Sequence, residues 1–135
     1  MPQPDGSPPS SADSYVLVVD DDDDVRESLR TVLEDEGYRV VALPDGKAAL
    51  DHLVAGGRPF VILLDLMMPV MDGATFRDRQ AADAALRAIP VILITAAGAR
   101  AAAAVAADGV LQKPVKLETM LELVARYRVP LSRAT

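Results

Sequence analysis

Three short runs of the chain are apolar throughout, and each is followed by an oxygen-bearing side chain. The runs cover residues 15–19, 60–64 and 91–94, and they are followed by Asp20, Asp65 and Thr95. Apolar runs without the alternation of a half-exposed strand are typical of central strands in a parallel sheet that is covered on both faces. The chain is therefore expected to build a parallel sheet with two buried faces.

Strand-like and helix-like segments alternate along the chain. The predicted strands are residues 15–19, 39–43, 60–64, 90–94 and 110–112. Helices are predicted after the aspartate run that follows residue 19, over about 46–55, after Gly73 and over about 117–127, with a further helix between the fourth and fifth strands. A strand–helix alternation that repeats five times predicts an α/β fold, a doubly wound parallel sheet with helices on both faces.

The inward faces of the helices follow from apolar residues at helical spacing. The expected inward residues are Val25, Leu29, Val32 and Leu33 in the first helix, Ala49, Leu50 and Leu53 in the second, and Leu117, Met120, Leu121 and Val124 in the last. Gly37 is expected to end the first helix, because glycine readily adopts the left-handed conformation that often follows a helix.

The length of 135 residues suits one domain, which we place at residues 14–129. Residues 1–13 hold four prolines and few apolar side chains, so we expect a disordered tail there. Residues 130–135 are expected to form a short C-terminal tail.

The net charge of −6 argues against binding to nucleic acid, which needs a basic surface. No apolar run approaches the length that spans a membrane, and the N-terminus lacks the pattern of a signal peptide. The chain also has no cysteine, which excludes disulfides and thiolate metal sites. We therefore expect a cytoplasmic protein that binds neither nucleic acid nor membranes.

Five consecutive aspartates, residues 20–24, directly follow the first predicted strand. The carboxyl ends of neighbouring strands meet at one edge of an open parallel sheet, where such folds place their sites. Asp20 and Asp21 are therefore expected to lie near Asp65, Thr95 and Lys113. Carboxylates that crowd together favour a hard divalent cation such as Mg²⁺, and a carboxylate can also act as a nucleophile toward phosphorus.

Four motifs in order resemble the receiver domain of response regulators in two-component signalling. They are VLVVDD at 16–21, LLDLMMPVMDG at 63–73, ITA at 94–96 and QKP at 112–114. The resemblance extends from Tyr15 to about Arg128 and implies a flavodoxin-like sheet with strand order 2-1-3-4-5. It also implies a cis peptide between Lys113 and Pro114.

The resemblance also implies a role for each site residue. Asp65 would accept a phosphoryl group, Thr95 would be the switch hydroxyl, and Lys113 would contact the phosphate. Mg²⁺ would be held by Asp21, Asp65 and the backbone carbonyl of Met67, with Asp20 acting largely through water.

Several nearby residues are expected to have structural roles only. Asp22, Asp23 and Asp24 are expected to cap the first helix and complement its dipole. Pro69, Asp72 and Gly73 are predicted to shape a loop. The methionines at positions 67, 68 and 71 are expected to pack rather than bind a soft metal, and His52 is expected to be solvated on the outer side of the second helix.

Two departures from familiar receivers bear on signalling. Only 18 positions separate Thr95 from Lys113, and the alanine-rich segment between them predicts a short or loosely packed helix, the fourth of five. Val110 stands where family members often carry an aromatic residue that couples to the switch threonine, which places the usual output surface in doubt. Since neither Met67 nor Ala97 can hydrogen-bond an attacking water, we also expect slow loss of a phosphoryl group.

The function predicted is that of a stand-alone receiver that takes a phosphoryl group from a histidine kinase or phosphotransfer protein and relays it by protein contacts. Its downstream partner is unknown, and we expect a monomer or weak homodimer. One alternative is a Mg²⁺-dependent phosphohydrolase with an aspartyl nucleophile, although Met67 occupies the position of the expected general acid. The other is a degenerate receiver that binds partners without phosphorylation.

Overall fold

The computed structural model describes residues 15–68, 70–96 and 107–128. Its elements in chain order are β1 (Tyr15–Val19), α1 (Asp23–Asp35), β2 (Arg39–Leu43), α2 (Gly46–Val54), β3 (Val61–Asp65), α3 (Gly73–Ala81), β4 (Val91–Thr95), β5 (Gly109–Gln112) and α4 (Leu117–Tyr127). Both predicted tails, Pro69 and the helix predicted between the fourth and fifth strands lie outside the described residues.

The five strands form one parallel sheet in the order β2-β1-β3-β4-β5, as predicted. Every residue of β1, β3 and β4 is buried, whereas the edge strands β2 and β5 are only partly covered. Both β3 and β4 lie one residue later than predicted. Asp65 and Thr95 are therefore the last residues of their strands, because they still pair with Ile94 and Gln112 of the neighbouring strands.

Two hydrophobic cores lie on opposite faces of the sheet. One core packs α2 and α3 against alternate strand residues, among them Leu17, Ile62 and Leu64. The other packs α1 and α4 against the intervening residues, such as Val18 and Leu63. Each fully buried side chain of this size contributes roughly 1.5–3 kcal/mol, so burial on both faces fixes the strands and the residues at their ends.

The ends of α1 follow from its sequence. The Asp22 carboxylate accepts hydrogen bonds from the backbone N–H groups of Asp24 and Val25, so it caps the helix. Gly37 has a φ of +93°, and its N–H donates to the Glu34 carbonyl while the Tyr38 N–H donates to the Leu33 carbonyl. This pair of bonds satisfies carbonyls that the helix end would otherwise leave unpaired, and the prediction for Gly37 is confirmed.

The prediction that His52 is solvated was wrong. Its Nε2 lies 2.5 Å from the Tyr15 hydroxyl oxygen, and the two rings meet edge to face. Gly57 makes the room for this contact, because a Cβ there would collide with the imidazole. Burial lowers the pKa of His52 below its usual value.

The inward placement of Leu117 was also wrong, since 44% of its surface is exposed. The buried stripe of α4 consists of Met120 and Val124 instead. Leu117 borders an open cavity of about 230 Å³ that is also lined by residues of α1, so the first turn of α4 lies beyond the core.

Among the helices that the structure describes, none is long and apolar enough to cross a membrane.

Candidate functional site

Two buried carboxylates lie at the ends of adjacent central strands. Asp20 directly follows β1 and is fully buried, and Asp65 ends β3 with 3% of its surface exposed. The strands are in register, with Val19 opposite Leu64, so the two side chains meet at the carboxyl edge of the sheet. Burial of charged carboxylates costs free energy unless nearby positive charges compensate them. The two side chains therefore need a cation close to them.

Asp21 completes a cluster of three carboxylates. One oxygen from each of Asp20, Asp21 and Asp65 lies within 4.8 Å of the other two, and Asp21 is exposed to solvent. Burial, followed by repulsion from Asp20, raises the pKa of Asp65 from 3.8 to about 6. Lys113 and the N–H of Met67 act in the opposite direction but do not offset this rise.

Lys113 is the cation that contacts the cluster. Its Nζ lies 3.4 Å from Asp65 Oδ2 and 3.5 Å from Asp20 Oδ2. Its backbone N–H donates to the Thr95 carbonyl at 2.9 Å, and the following peptide bond to Pro114 is cis, as the sequence resemblance implied. Burial alone would lower the pKa of Lys113, but Asp20 and Asp65 raise it above its usual value, so the ammonium stays charged.

One oxygen of Asp20 accepts a hydrogen bond, and the other faces only the Lys113 ammonium at 3.5 Å among the contacts of the described residues. Its Oδ1 accepts from the N–H of Asp22 at 2.9 Å. Its Oδ2 is buried and accepts no hydrogen bond, although buried polar atoms are nearly always satisfied. The three carboxylates also form the one group of three or more metal-binding side chains within the described parts of the chain. Mg²⁺ takes oxygen ligands and is usually bound by one or two carboxylates together with water molecules. These residues therefore fit a magnesium ion.

The loop after β3 contacts Asp65 through its backbone. The N–H of Met67 donates to Asp65 Oδ1 at 3.3 Å. The Gly73 N–H donates to the Leu66 carbonyl, and a Cβ at Gly73 would come within 2.9 Å of the Asp65 carbonyl oxygen. The prediction that Met67 packs was wrong, because its side chain is 68% exposed at the rim of the cluster.

Thr95 is buried at the end of β4, one residue beyond the partner of Asp65 in the neighbouring strand. Val110 lies on the edge strand β5 with 44% of its surface exposed. The roles predicted for Thr95, Val110 and the Met67 carbonyl stay predictions, and Ala97 lies outside the described residues.

The remaining aspartates near the cluster lie at the starts of helices, as predicted for Asp22, Asp23 and Asp24, whereas Asp72 was predicted only to shape a loop. Asp23 and Asp24 lie in the first turn of α1, which Asp22 caps. Asp72 caps α3 by accepting from the Thr75 N–H at 2.8 Å, a contact that lowers the pKa of Asp72.

One residue of the site was missed from the sequence. The Arg26 guanidinium donates to the backbone carbonyl of Asp20 at 2.8 Å and also pairs with the Asp23 carboxylate. An arginine three residues after an aspartate usually indicates a surface ion pair, so only the fold could reveal the second contact.

Known proteins resemble this chain in sequence. Residues 16–125 match the response regulator receiver domain family. The response regulator MprA of Mycolicibacterium vanbaalenii is 44% identical over 126 residues, which cover 89% of this chain and 51% of that protein. MprA of Mycobacterium avium is 43% identical over 124 residues, covering 87% and 51%. The chain therefore spans about half the length of these relatives.

Solved structures agree with the sequence match. The receiver domain of a signal transduction histidine kinase from Syntrophus aciditrophicus superposes with a TM-score of 0.78 and 30% identity, covering 85% of this chain and 89% of that one. The chemotaxis response regulator CheY4 of Vibrio cholerae gives 0.75 and 32%, covering 84% and 98%. The strand order, the acidic cluster at the sheet edge and the match over most of the sequence lead to one conclusion: the chain belongs to the response regulator receiver domain family.

Proposed function

We propose that this receiver domain accepts a phosphoryl group on Asp65 from the phosphohistidine of a histidine kinase or phosphotransfer protein, in a Mg²⁺-dependent reaction. A carboxylate oxygen of Asp65 attacks phosphorus while the bond from phosphorus to the donor imidazole nitrogen breaks. The imidazole keeps the electron pair of that bond, and the product is an aspartyl phosphate. The modified domain then signals through contacts with another protein.

The placement of Asp65 is the observation that carries the proposal. Asp65 ends a central strand, is held by the Met67 N–H, and lies within reach of both Lys113 and the carboxylates of Asp20 and Asp21. Phosphoryl transfer depends mainly on positioning and on neutralisation of negative charge. Lys113 supplies one positive charge at the acceptor oxygen.

Asp21 and Asp65 would hold the Mg²⁺ together with the Met67 carbonyl expected from the family, and Asp20 would act on the ion largely through water. When bound, the ion would neutralise charge on the transferred phosphoryl group. Thr95 is proposed to hydrogen-bond the phosphoryl group and so report its arrival, and Lys113 to form an ion pair with it. A cytoplasmic location and the assignment of residues 14–129 to the domain stay predictions.

The test is incubation with Mg²⁺ and an acyl phosphate donor, followed by intact-mass measurement. We expect one phosphoryl adduct on the wild type, none on Asp65→Asn, and none with excess chelator. Asp72→Asn is the matched control, because Asp72 lies in the same loop but caps a helix. An adduct that persists in Asp65→Asn would refute the proposal, and no adduct from either the small donor or a kinase would favour a degenerate receiver.

A further inference from the structure

We infer that Arg26 is a positioning residue for the cation site: it holds Asp20 in the geometry that lets Oδ2 interact with Mg²⁺, directly or through a water molecule. The inference rests on the proposed function, because it concerns the same ion. The carrying contact is the hydrogen bond from Arg26 Nη1 to the Asp20 carbonyl oxygen, at 2.8 Å.

Three polar groups of Asp20 form hydrogen bonds, and the fourth, Oδ2, faces the Lys113 ammonium at 3.5 Å. Its backbone N–H donates to the Leu43 carbonyl at 3.2 Å, its carbonyl accepts from Arg26, and its Oδ1 accepts from the Asp22 N–H. Oδ2 alone accepts no hydrogen bond. The first two contacts hold the backbone, and the third sets the rotation of the carboxylate, so Oδ2 is directed toward the cluster.

Arg26 is built to hold this contact. Its side chain is only 16% exposed although it starts from the first turns of α1, and its second nitrogen pairs with Asp23. Two anchoring points on a planar guanidinium restrict its rotation, which a lysine ammonium cannot reproduce. The guanidinium thus ties the start of α1 to the end of β1, across the turn that contains Asp21.

Charge alone and positioning predict opposite effects of removing Arg26 on Mg²⁺ affinity, so an experiment can distinguish them. Arg26 is a cation close to a cation site, so its removal should strengthen Mg²⁺ binding if charge alone matters. If Arg26 acts by positioning Asp20, its removal should weaken binding in spite of the more negative surroundings. Loss of an outer contact of this kind typically costs about tenfold or more in metal affinity.

The experiment measures Mg²⁺ binding by calorimetry for the wild type, Arg26→Met and Arg26→Lys. We expect the Kd to rise about tenfold in Arg26→Met and to rise clearly in Arg26→Lys, which keeps the charge. Arg30→Met is the matched control, because Arg30 lies one turn further along α1 and, within the described parts of the chain, pairs with the exposed side chains of Glu27 and Glu34; its Kd should stay near that of the wild type.

A second readout separates positioning from general disruption. Phosphorylation by an acyl phosphate should need more Mg²⁺ in Arg26→Met, yet reach nearly the wild-type rate at saturating Mg²⁺, with folding checked by circular dichroism. Unchanged or tighter binding in Arg26→Met, or wild-type affinity in Arg26→Lys, would overturn the inference. Absence of Mg²⁺ binding in the wild type would instead refute the magnesium site of the proposed function.

Discussion

Asp20 and Asp65 share one cation: the Lys113 ammonium lies 3.5 Å from the first carboxylate and 3.4 Å from the second. Asp21 adds a third carboxylate to the same cluster. One ammonium against three carboxylates leaves two negative charges, which one divalent cation would balance. Without that ion, the protein must bear the repulsion or take up a proton.

The stability of the metal-free protein should therefore depend on pH through Asp65. The pKa of Asp65 is about 6 in the folded protein, whereas an aspartate in the unfolded chain has a pKa of 3.8. The folded state therefore binds the proton more readily. The free energy of unfolding should fall as pH rises from about 4 to about 6, by up to about 3 kcal/mol from this group. Below pH 4 this penalty is absent, and above pH 6 it is complete.

The measurement is chemical denaturation of the wild type and Asp65→Asn in chelator across this pH range. The difference between the two proteins isolates Asp65 from the other carboxylates. The advantage of Asp65→Asn should be small near pH 4 and grow until about pH 6, and Mg²⁺ should reduce it. A difference that is the same at pH 4 and pH 7 would show that Asp65 does not titrate in this range.

Removal of the shared cation should destabilise the metal-free protein. Lys113→Met leaves Asp20 and Asp65 buried without their ammonium, and we expect a loss of about 1–3 kcal/mol at pH 8, below the cost of breaking a fully buried pair because Lys113 is partly exposed. Saturating Mg²⁺ should restore much of this loss.

Lys47→Met is the control for Lys113→Met. Lys47 pairs with Asp51 at 3.1 Å on the outside of α2, where both side chains are mostly exposed. Such pairs contribute less than about 1 kcal/mol. Equal losses in the two variants, both insensitive to Mg²⁺, would mean that Lys113 is an ordinary surface lysine.

Val70 should be a strained residue in the loop after β3. Its φ is +69°, a region that β-branched residues avoid, and 76% of its surface is exposed, so packing does not repay the strain. Strain of this kind costs about 1–3 kcal/mol, and glycine relieves it at an entropic cost of up to about 1 kcal/mol. Val70→Gly should therefore raise the free energy of unfolding by about 1 kcal/mol.

The control for Val70 is Val54→Gly. Val54 is similarly exposed but ends α2 in a helical conformation, where glycine should cost about 0.5–1 kcal/mol. Opposite signs for the two variants in thermal or chemical denaturation support the strain at Val70. Destabilisation of similar size in both would contradict it.

The sheet and the five site residues could be predicted because their signals are local. A continuous apolar run marks a central strand, and the residue at its end must lie at the sheet edge; Asp20, Asp65 and Thr95 follow from this rule alone. Lys113 follows the short predicted strand 110–112 and was placed at the edge by the same rule, whereas its contact with the phosphate was implied by the family resemblance.

The errors concern side chains whose surroundings come from distant parts of the chain. His52 is partly buried because Gly57 and Tyr15 leave a space for it, and neither residue is a neighbour in its helix. Met67 is exposed because the loop turns its backbone, rather than its side chain, toward Asp65. Arg26 has a local ion pair that conceals its contact with Asp20. Helical and strand spacing carries no information on such contacts.

The loop after β3, which carries Met67, should make the phosphorylated form long-lived. Hydrolysis of an aspartyl phosphate needs a water positioned in line with phosphorus, and a side chain that hydrogen-bonds this water speeds the reaction. Met67 lies two residues after Asp65 with an exposed thioether that can neither donate a proton nor accept one strongly. Ala97, two residues after Thr95, has no polar side-chain atom. We therefore expect the label on purified phosphorylated protein to decay over minutes or longer.

The variant Met67→Asn tests this explanation, because it places an amide at the rim of the site without adding charge. Decay should become several-fold faster than in the wild type. Val70→Asn adds the same amide to the same loop three residues later and should leave the decay rate near that of the wild type, since the effect requires an amide beside Asp65. Loss of the label from the wild type within seconds, or equal acceleration by both variants, would show that Met67 does not limit the attack of water.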